Sequence, residues 1–309
     1  MNKKIKLYIY PHAKKHVHDQ EEIYRNTVPL SSEGIEKHCE IVSSEDADYF
    51  YMGQIQNDKF SSTDPSQYEY FETNKEKHIC DIEGEGGVPI PSWLHNSIIT
   101  TMGPLKRHSN IKNLFTRPTF SYLLLDIIKN RNETFDFPSE KSFGFKGYMN
   151  CKTRALLLYV LHNAKEFKKD ISINRTWSGP SEIGSKVQQD YIDGLLRNPL
   201  SLCPRGSGID SVRLIESCYY RRVPVLISNM DYFLVGEDHY DTSFCFRICD
   251  EKMTPDSLKE KLVEIYETPI SELNDRADMA RKYFDEVIRE YFADPTLYFL
   301  KWLEKNENR

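Results

Sequence analysis

The sequence predicts an α/β protein of two domains, each built on a parallel sheet, with a cleft between them. Three observations predict it. Short strand-like apolar runs alternate with polar or helical segments over residues 1–135. A second α/β series follows over 136–285. Between them "RNETFDFPSE" (131–140) is polar, irregular and holds a Pro. Strand–helix alternation is the pattern of a parallel sheet with crossover helices. The 309 residues suffice for two domains of ordinary size.

The elements follow in order. "KIKLYIY" (4–10) reads as a buried first strand, and "EEIYRNTV" starts a helix. "HCEIVSS" and "EDADYFYMGQI" read as strands around an acidic turn, the second ending at Gly53. "KEKHICDIEGEGGVPIP" is a strand running into a Gly- and Pro-rich loop, and "HNSIITTMG" is one more strand. After the linker, "SFGFKGYMN" is a strand ending in a Gly loop, "CKTRALLLYVLHNA" an apolar helix and "KKDISINRTW" a strand. "GSKVQQDYIDGLLRN" is a helix, "PLSLCPRG" a strand with its loop, "DSVRLIESCYYRR" a helix, and "VPVLIS" and "FCFRICD" are strands. The stretches 254–267 and 271–292 carry apolar residues three and four apart, the spacing of helices. "DPTLYFLKWLEKN" is a short last helix with Pro near its start.

Composition narrows the function. Hydrophobic residues make up 39% and charged residues 28%, as in a globular protein with real cores. The net charge of −6 argues against a non-specific nucleic-acid binder, which needs a basic face. The seven Cys form no CxxC pair, so free buried thiols are expected rather than a zinc site. The N-terminal run has a basic start but no signal-peptide core, and no run reaches the roughly 18 apolar residues of a membrane span. A cytoplasmic protein, at most peripheral to a membrane, is expected.

Open α/β sheets bind ligands outside the carboxyl ends of their strands. The loops 10–16, 53–58, 83–91, 146–152, 175–181, 205–211 and 228–240 are therefore where a site is expected. The stretch "LCPRGSGIDSVRLIESCYYRRVPVLIS" (202–228) concentrates the chemistry. Gly206 and Gly208 around Ser207 allow a tight turn and a close backbone approach. Asp210 or Ser211 can cap the helix that follows. A helix N-terminus is an anion site, and Arg205 adds a planar donor fork suited to phosphate oxygens. Glu216 can accept from two adjacent hydroxyls, as on a ribose, and Arg213, three residues earlier, shares its face. Together these describe a nucleotide diphosphate site. The same spacing also fits an ordinary surface pair of Arg213 and Glu216 beside a solvated Arg205. The loop is neither a P-loop nor GxGxxG.

The same stretch resembles the signature of exostosin-like glycosyltransferases, family 47: Leu202, Cys203, Pro204 and Gly206, then Ser211, Arg213 and Glu216, then Val223-Pro224-Val225. Leu202 adjoins Cys203 directly, a small difference in spacing. Arg221 and Arg222 replace the family's usual Gly before the last triplet. "EDADYFYMG", "FGFKGYMNCKTRALLL" and the region 249–282 resemble further family segments in order. The resemblance implies a GT-B fold, two Rossmann-like domains facing across a cleft. Residues 1–135 would be the acceptor-side domain and 136–285 the nucleotide-sugar domain. Residues 286–309 would be a helix crossing back to the first domain. It implies an inverting, metal-independent transfer without cofactor, from a UDP-sugar to an oligosaccharide or lipid-linked glycan, in polysaccharide or glycoconjugate synthesis.

An inverting transfer needs a base and a cationic leaving-group site. Arg205 is the expected leaving-group cation, with Gly206, Ser207, Gly208, Ser211, Arg213 and Glu216 around the nucleotide. Lys146, Lys152 and Arg154 repeat the strand–glycine–basic helix pattern and are expected beside it. Arg154, next to an apolar helix face, is expected to hold a phosphate or a carboxylate. The base is sought in the first domain, among Asp81, Glu83, Glu85, His12 and His95, with Glu85 and His12 preferred. His239 and Tyr240 are placed to touch the donor. His12, His16 and His18 read as an exposed basic segment rather than a metal site. The alternative is a catalytically inactive nucleotide-sugar-binding partner of another transferase. A Rossmann dehydrogenase would need the missing fingerprint, and an adhesin would not need a phosphate-ready cleft.

Overall fold

The structure, a computed structural model, describes residues 4–18, 28–56, 63–83, 90–102, 111, 113–119, 121–130, 132–174, 185–206, 208, 210–228, 234–237 and 239–307. The chain divides into two compact units, Met1–Pro118 with Glu290–Arg309, and Thr119–Arg289. Both are α/β with wholly parallel sheets, as the alternation predicts.

The first unit holds β1 (Ile5–Ile9), α1 (Pro11–His18), α2 (Ser32–His38), β2 (Cys39–Ile41), β3 (Tyr49–Gln56), β4 (His78–Glu83), β5 (Ile98–Met102) and β6 (Asn113–Arg117). The strand order is β2-β1-β3-β4-β5-β6. The first of the expected loops, 10–16, is largely helix α1: Pro11, separated from the end of β1 by Tyr10, opens the helix and pre-sets its φ. A bulge lies between Tyr51 and Gly53 in β3. Gly53 has φ 85°, and a Cβ there would stand 2.9 Å from the Ala13 Cβ, so glycine lets α1 lie on the strand.

The core of this unit is apolar except at one place. Asp81 Oδ1 accepts from Thr100 Oγ1 at 2.6 Å and pairs with Arg117 Nη2 at 3.3 Å. The two side chains are 3% and 2% exposed. Asp81, one of the base candidates, is thus locked in a buried strand pair rather than presented from a loop. His78 is also buried; its Nδ1 lies 2.8 Å from the Asn74 carbonyl, which can only accept, so Nδ1 carries the proton. Nε2 then accepts from Tyr10 Oη at 3.0 Å, and burial lowers the His78 pKa.

The second unit holds α3 (Tyr122–Asn130), β7 (Phe143–Tyr148), α4 (Lys152–Asn163), β8 (Lys169–Asn174), α5 (Lys186–Arg197), β9 (Leu200–Pro204), α6 (Val212–Tyr219), β10 (Val223–Ser228), β11 (Phe246–Cys249), α7 (Pro255–Glu267) and α8 (Ile270–Tyr283). The strand order is β11-β10-β9-β7-β8. A π-helical turn, Phe284–Ile288, leads into α9 (Arg289–Ala293) and α10 (Pro295–Glu307). In the first unit, Phe115 of β6 packs against Tyr291, Phe299 and Trp302 from these last helices.

The division falls at 118/119, not at the linker 131–140. The reason is packing: Phe135 lies against Tyr219 and Tyr220, and the Asp136 carbonyl accepts from Arg222 at 3.0 Å. A polar, Pro-bearing stretch reads as a linker, but its two Phe side chains give it an apolar anchor on the second unit.

The Arg221-Arg222 departure has a structural meaning. At the end of α6 the Arg222 N–H bonds the Ser217 carbonyl and the Arg221 N–H the Cys218 carbonyl, a Schellman motif. Its left-handed position is Arg221, with φ 56°, where glycine is favoured. Arg221 is held there by Asp278 at 2.6 Å and Asn274 at 2.9 Å. Arg222 is 2% exposed and donates to the carbonyls of Leu195 and Leu196 at the end of α5, of Asp136 and of Arg221. Burial lowers its pKa to about 10. Arg221→Ala keeps the left-handed strain and loses both partners, whereas Arg221→Gly loses the partners but relieves the strain. The Gly variant is expected to be about 1 kcal/mol more stable than the Ala variant in urea unfolding. Equal stability would show that position 221 is not strained.

Candidate functional site

β7 and β9 are neighbours in the sheet, but their register covers only Phe143↔Leu200 and Gly144↔Ser201. Beyond it the two strands separate toward their carboxyl ends. The chain leaves β7 toward β8 and leaves β9 toward β10, so right-handed crossovers put α4 on one face and α6 on the other. Ligands of open α/β sheets bind at this kind of switch point.

Two arginines span the separated strands. Arg154 of α4 donates Nη1 to the carbonyl of Tyr148, the last residue of β7 (2.6 Å), and Nε to the Arg205 carbonyl after β9 (3.0 Å). Arg213 of α6 donates Nη2 to the Lys146 carbonyl of β7 and Nη1 to the Leu202 carbonyl of β9 (3.5 Å). Its guanidinium also lies over the rings of Phe145 (4.6 Å) and Tyr191 (5.5 Å). Burial and the nearby Arg213 lower the Arg154 pKa. Both residues were expected at the nucleotide; both act first as struts between β7 and β9. Of the phosphate or carboxylate expected for Arg154, no carboxylate is among its described partners, which are carbonyls.

Arg205 follows β9 directly. Its Nε donates to the Asp250 carboxylate and lies 3.4 Å from Thr153 Oγ1. Thr153 itself donates to Asp250 at 2.6 Å, and Asp250 is 6% exposed. Asp250 thus joins the end of β11, the start of α4 and the loop after β9. Arg205 is 32% exposed, and among the described residues its two terminal nitrogens have no hydrogen-bond partner. Anchored at Nε, the guanidinium keeps a two-pronged donor edge for an anion.

Neither adjoining helix start is capped by a side chain. Cys151 precedes α4 and Ser211 precedes α6, and neither side chain bonds its helix. Ser211 was a candidate cap; Asp210 instead accepts from Thr119 Oγ1. Gly206 lies between them: a Cβ there would stand 3.6 Å from both Arg154 Nη2 and Asn150 Nδ2. Gly208 is buried, Lys152 is exposed in the first turn of α4, and Ser207 lies outside the described residues.

Glu216 is 5% exposed and does not pair with Arg213. Its Oε1 accepts from Ser121 Oγ at 2.7 Å and its Oε2 from Tyr191 Oη. Burial, reinforced by Glu216, raises the Tyr191 pKa well above its ordinary value. Lys146 points elsewhere: its Nζ lies 4.0 Å from Asp190 of α5, not beside Arg205.

In the first unit His12 is exposed on α1, stacked on Tyr10 (5.8 Å) and edge-on to Tyr68 (5.1 Å). His95 Nε2 lies 3.2 Å from the Ile90 carbonyl. Glu85 and the side chains of Glu83, His16 and His18 lie outside the described residues. His239 is exposed, and Tyr240 packs on Tyr283 at 5.5 Å, its pKa raised to about 12 by burial and Glu286. All seven cysteines are free, five of them buried. Among the described residues no cluster of His, Cys, Asp or Glu fits a metal, and no helix is long and apolar enough to cross a membrane. Sequence reasoning missed Asp250, Thr153, Ser121 and Tyr191. Only Asp250 carried a signal, its place directly after a strand.

No family model and no curated protein matches the chain. Among solved structures it is similar to TarM, at 13% identity and TM-score 0.42, over 83% of this chain and 54% of that one. An S. aureus TarM mutant in complex with fondaparinux, alpha-GlcNAc-glycerol and UDP matches at 13% identity and TM-score 0.42, over 82% and 55%. The glycotransferase of kitacinnamycin matches at 8% identity and TM-score 0.37, over 98% of each chain. The chain spans about half the length of the TarM chains. At such identities no residue role passes from them to this chain.

Proposed function

We propose that the protein is a glycosyltransferase of GT-B type that moves a sugar from a UDP-sugar to a glycan, with inversion and without a metal. The observation that carries this reading is Arg205, anchored at Nε on Asp250 with a donor edge that has no partner among the described residues, at a switch point flanked by two helix starts without a side-chain cap. Helix N-termini and a guanidinium together favour a diphosphate. They supply the charge that a departing nucleoside diphosphate needs. The motif resemblance around residues 202–225 selects sugar transfer among the reactions that release a diphosphate.

Each part then has a role. The N–H groups at the starts of α4 and α6 bind the diphosphate, and Lys152 adds long-range attraction. Arg205 stabilises the charge that grows on the leaving oxygen. Arg154 and Arg213 hold β7 and β9 apart at a fixed width. Glu216 takes the ribose diol: each oxygen already accepts one hydroxyl and keeps a second lone pair. His12 or Glu85 in the first unit removes the acceptor proton. His12 presents an exposed ring stacked on Tyr10, and an imidazole can take up a proton near neutral pH only where it is accessible in this way.

A thermal-shift panel of UDP, GDP and CMP tests the reading. A ligand at a hundredfold excess over its Kd stabilises the native state by about 2.7 kcal/mol. UDP is expected to raise Tm by several degrees and the others by less, with UDP released from a UDP-sugar when a glycan acceptor is added. No shift with any nucleotide would sink the proposal. A shift with UDP but no release with any acceptor would point to the non-catalytic partner.

A further inference from the structure

Where α5 covers β7, β8 and β9, the strand positions at the helix are Gly144 and Lys146, Asp170 and Ser172, and Ser201. Of the alternate positions, Phe143, Phe145, Leu200 and Leu202 belong to the core and Ile171 packs against it; Phe145 also borders the space under the helix. Helix-covered strands of a parallel sheet are normally apolar on both faces. Here one face is small and polar. The helix adds Asp190, Tyr191 and Gly194, and a cavity of about 280 Å³ lies between helix and sheet.

The charges around it are matched. Lys146 Nζ lies 4.0 Å from Asp190, and Arg197 Nη2 lies 2.8 Å from Asp170. Arg213 spends its terminal nitrogens on carbonyls. A lining of paired charges does not call for an ion. It does offer carboxylate acceptors, an ammonium donor, two serine hydroxyls and a tyrosine ring around a small volume. Neutral polyols are recognised by such mixed donors and acceptors beside a ring face. The volume sits near the lower end of ligand pockets, the range of one sugar ring.

We propose that this cavity binds a single monosaccharide unit, free or at the end of a glycan chain. The choice of a sugar among polyols rests on the sugar-transfer reading. The cavity itself lies under α5, whereas Arg205 and the helix starts lie at the carboxyl ends of the strands. The site would hold a glycan away from the reacting centre, and Tyr191 would link its occupancy to Glu216.

Gly194 provides the test. A Cβ there meets nothing nearer than Arg197 Nη2 at 3.9 Å, so a larger side chain has room, and replacing a mid-helix glycine favours the helix. Saturation-transfer NMR on the full chain would use glucose, N-acetylglucosamine and glucuronate as probes, with a methyl glycoside of each to represent a chain end. At least one sugar is expected to give a signal in the wild type and in Gly194→Ala. That signal is expected to be lost in Gly194→Phe and in Ser172→Leu, a second blocking change on the sheet side. The UDP thermal shift should be the same in all four. Absence of signal from every sugar, or an unchanged signal in both blocked variants, overturns the proposal. Joint loss of UDP and sugar also overturns it, because the cavity would then be part of the nucleotide site. If UDP shifts none of the proteins while the sugar signal is blocked as expected, the nucleotide reading fails and the sugar cavity stands.

Discussion

Replacing Arg117 by Leu is expected to destabilise the protein by about 3–5 kcal/mol, because it leaves Asp81 as an uncompensated charge at 3% exposure. Asp81 would keep only Thr100 at 2.6 Å among the partners described. Its Oδ2 and the Arg117 Nε already lack hydrogen-bond partners among the described residues, so the site has little slack. Removing both charges together, as Asp81→Leu with Arg117→Leu, is expected to cost much less than the sum of the single changes. Urea unfolding followed by tryptophan fluorescence reads this, since Trp93 and Trp302 both belong to the first unit. If the double variant loses as much as the two singles combined, the buried pair is not what couples β4 to β6.

The second large effect is on turnover. Arg205→Ala is expected to lower kcat by roughly 100- to 1,000-fold, about 3 kcal/mol of transition-state stabilisation, the cost of removing one preorganised donor at a developing anion. Under the proposed sugar transfer, Glu216→Gln is expected to act mainly on donor KM, because the proposed ribose contact would be made equally before and during transfer. Arg205→Lys should recover little, since an ammonium cannot hold Asp250 and still present a flat two-pronged edge. UDP release from a UDP-sugar at saturating donor separates the cases. Wild-type turnover in Arg205→Ala would remove Arg205 from the reaction.

The strut residues explain why the two kinds of experiment should differ. Arg154 and Arg213 each reach one carbonyl on either side of the divergence of β7 and β9. Losing either alters the spacing of the helix starts, which is set by packing and not by charge at a ligand. Spacing along the sequence places Arg213 and Glu216 on one helix face, and it suggested that they pair. It does not reveal which carbonyls come within reach when two strands separate, and those carbonyls claim Arg213. The hydroxyls of Ser121 and Tyr191, 95 and 25 residues away from Glu216, claim the carboxylate.

Local chemistry was legible wherever it acts through near neighbours. The alternation of strand and helix, the glycine-cornered turn after β9 and the helix that follows it are all set by short-range pattern and backbone freedom. They were readable residue by residue. The sequence by itself determined two parallel α/β units and a cationic turn at Arg205. Only the tertiary structure decided that Asp250 anchors that arginine, that Lys146 serves a polar cavity under α5, that Asp81 is a buried ion-pair partner, and that Arg221 fills a left-handed turn. Each of those outcomes depends on groups far apart in the chain becoming neighbours. Their energies come from desolvation and hydrogen-bond geometry, which the order of residues does not encode until the sheet has formed.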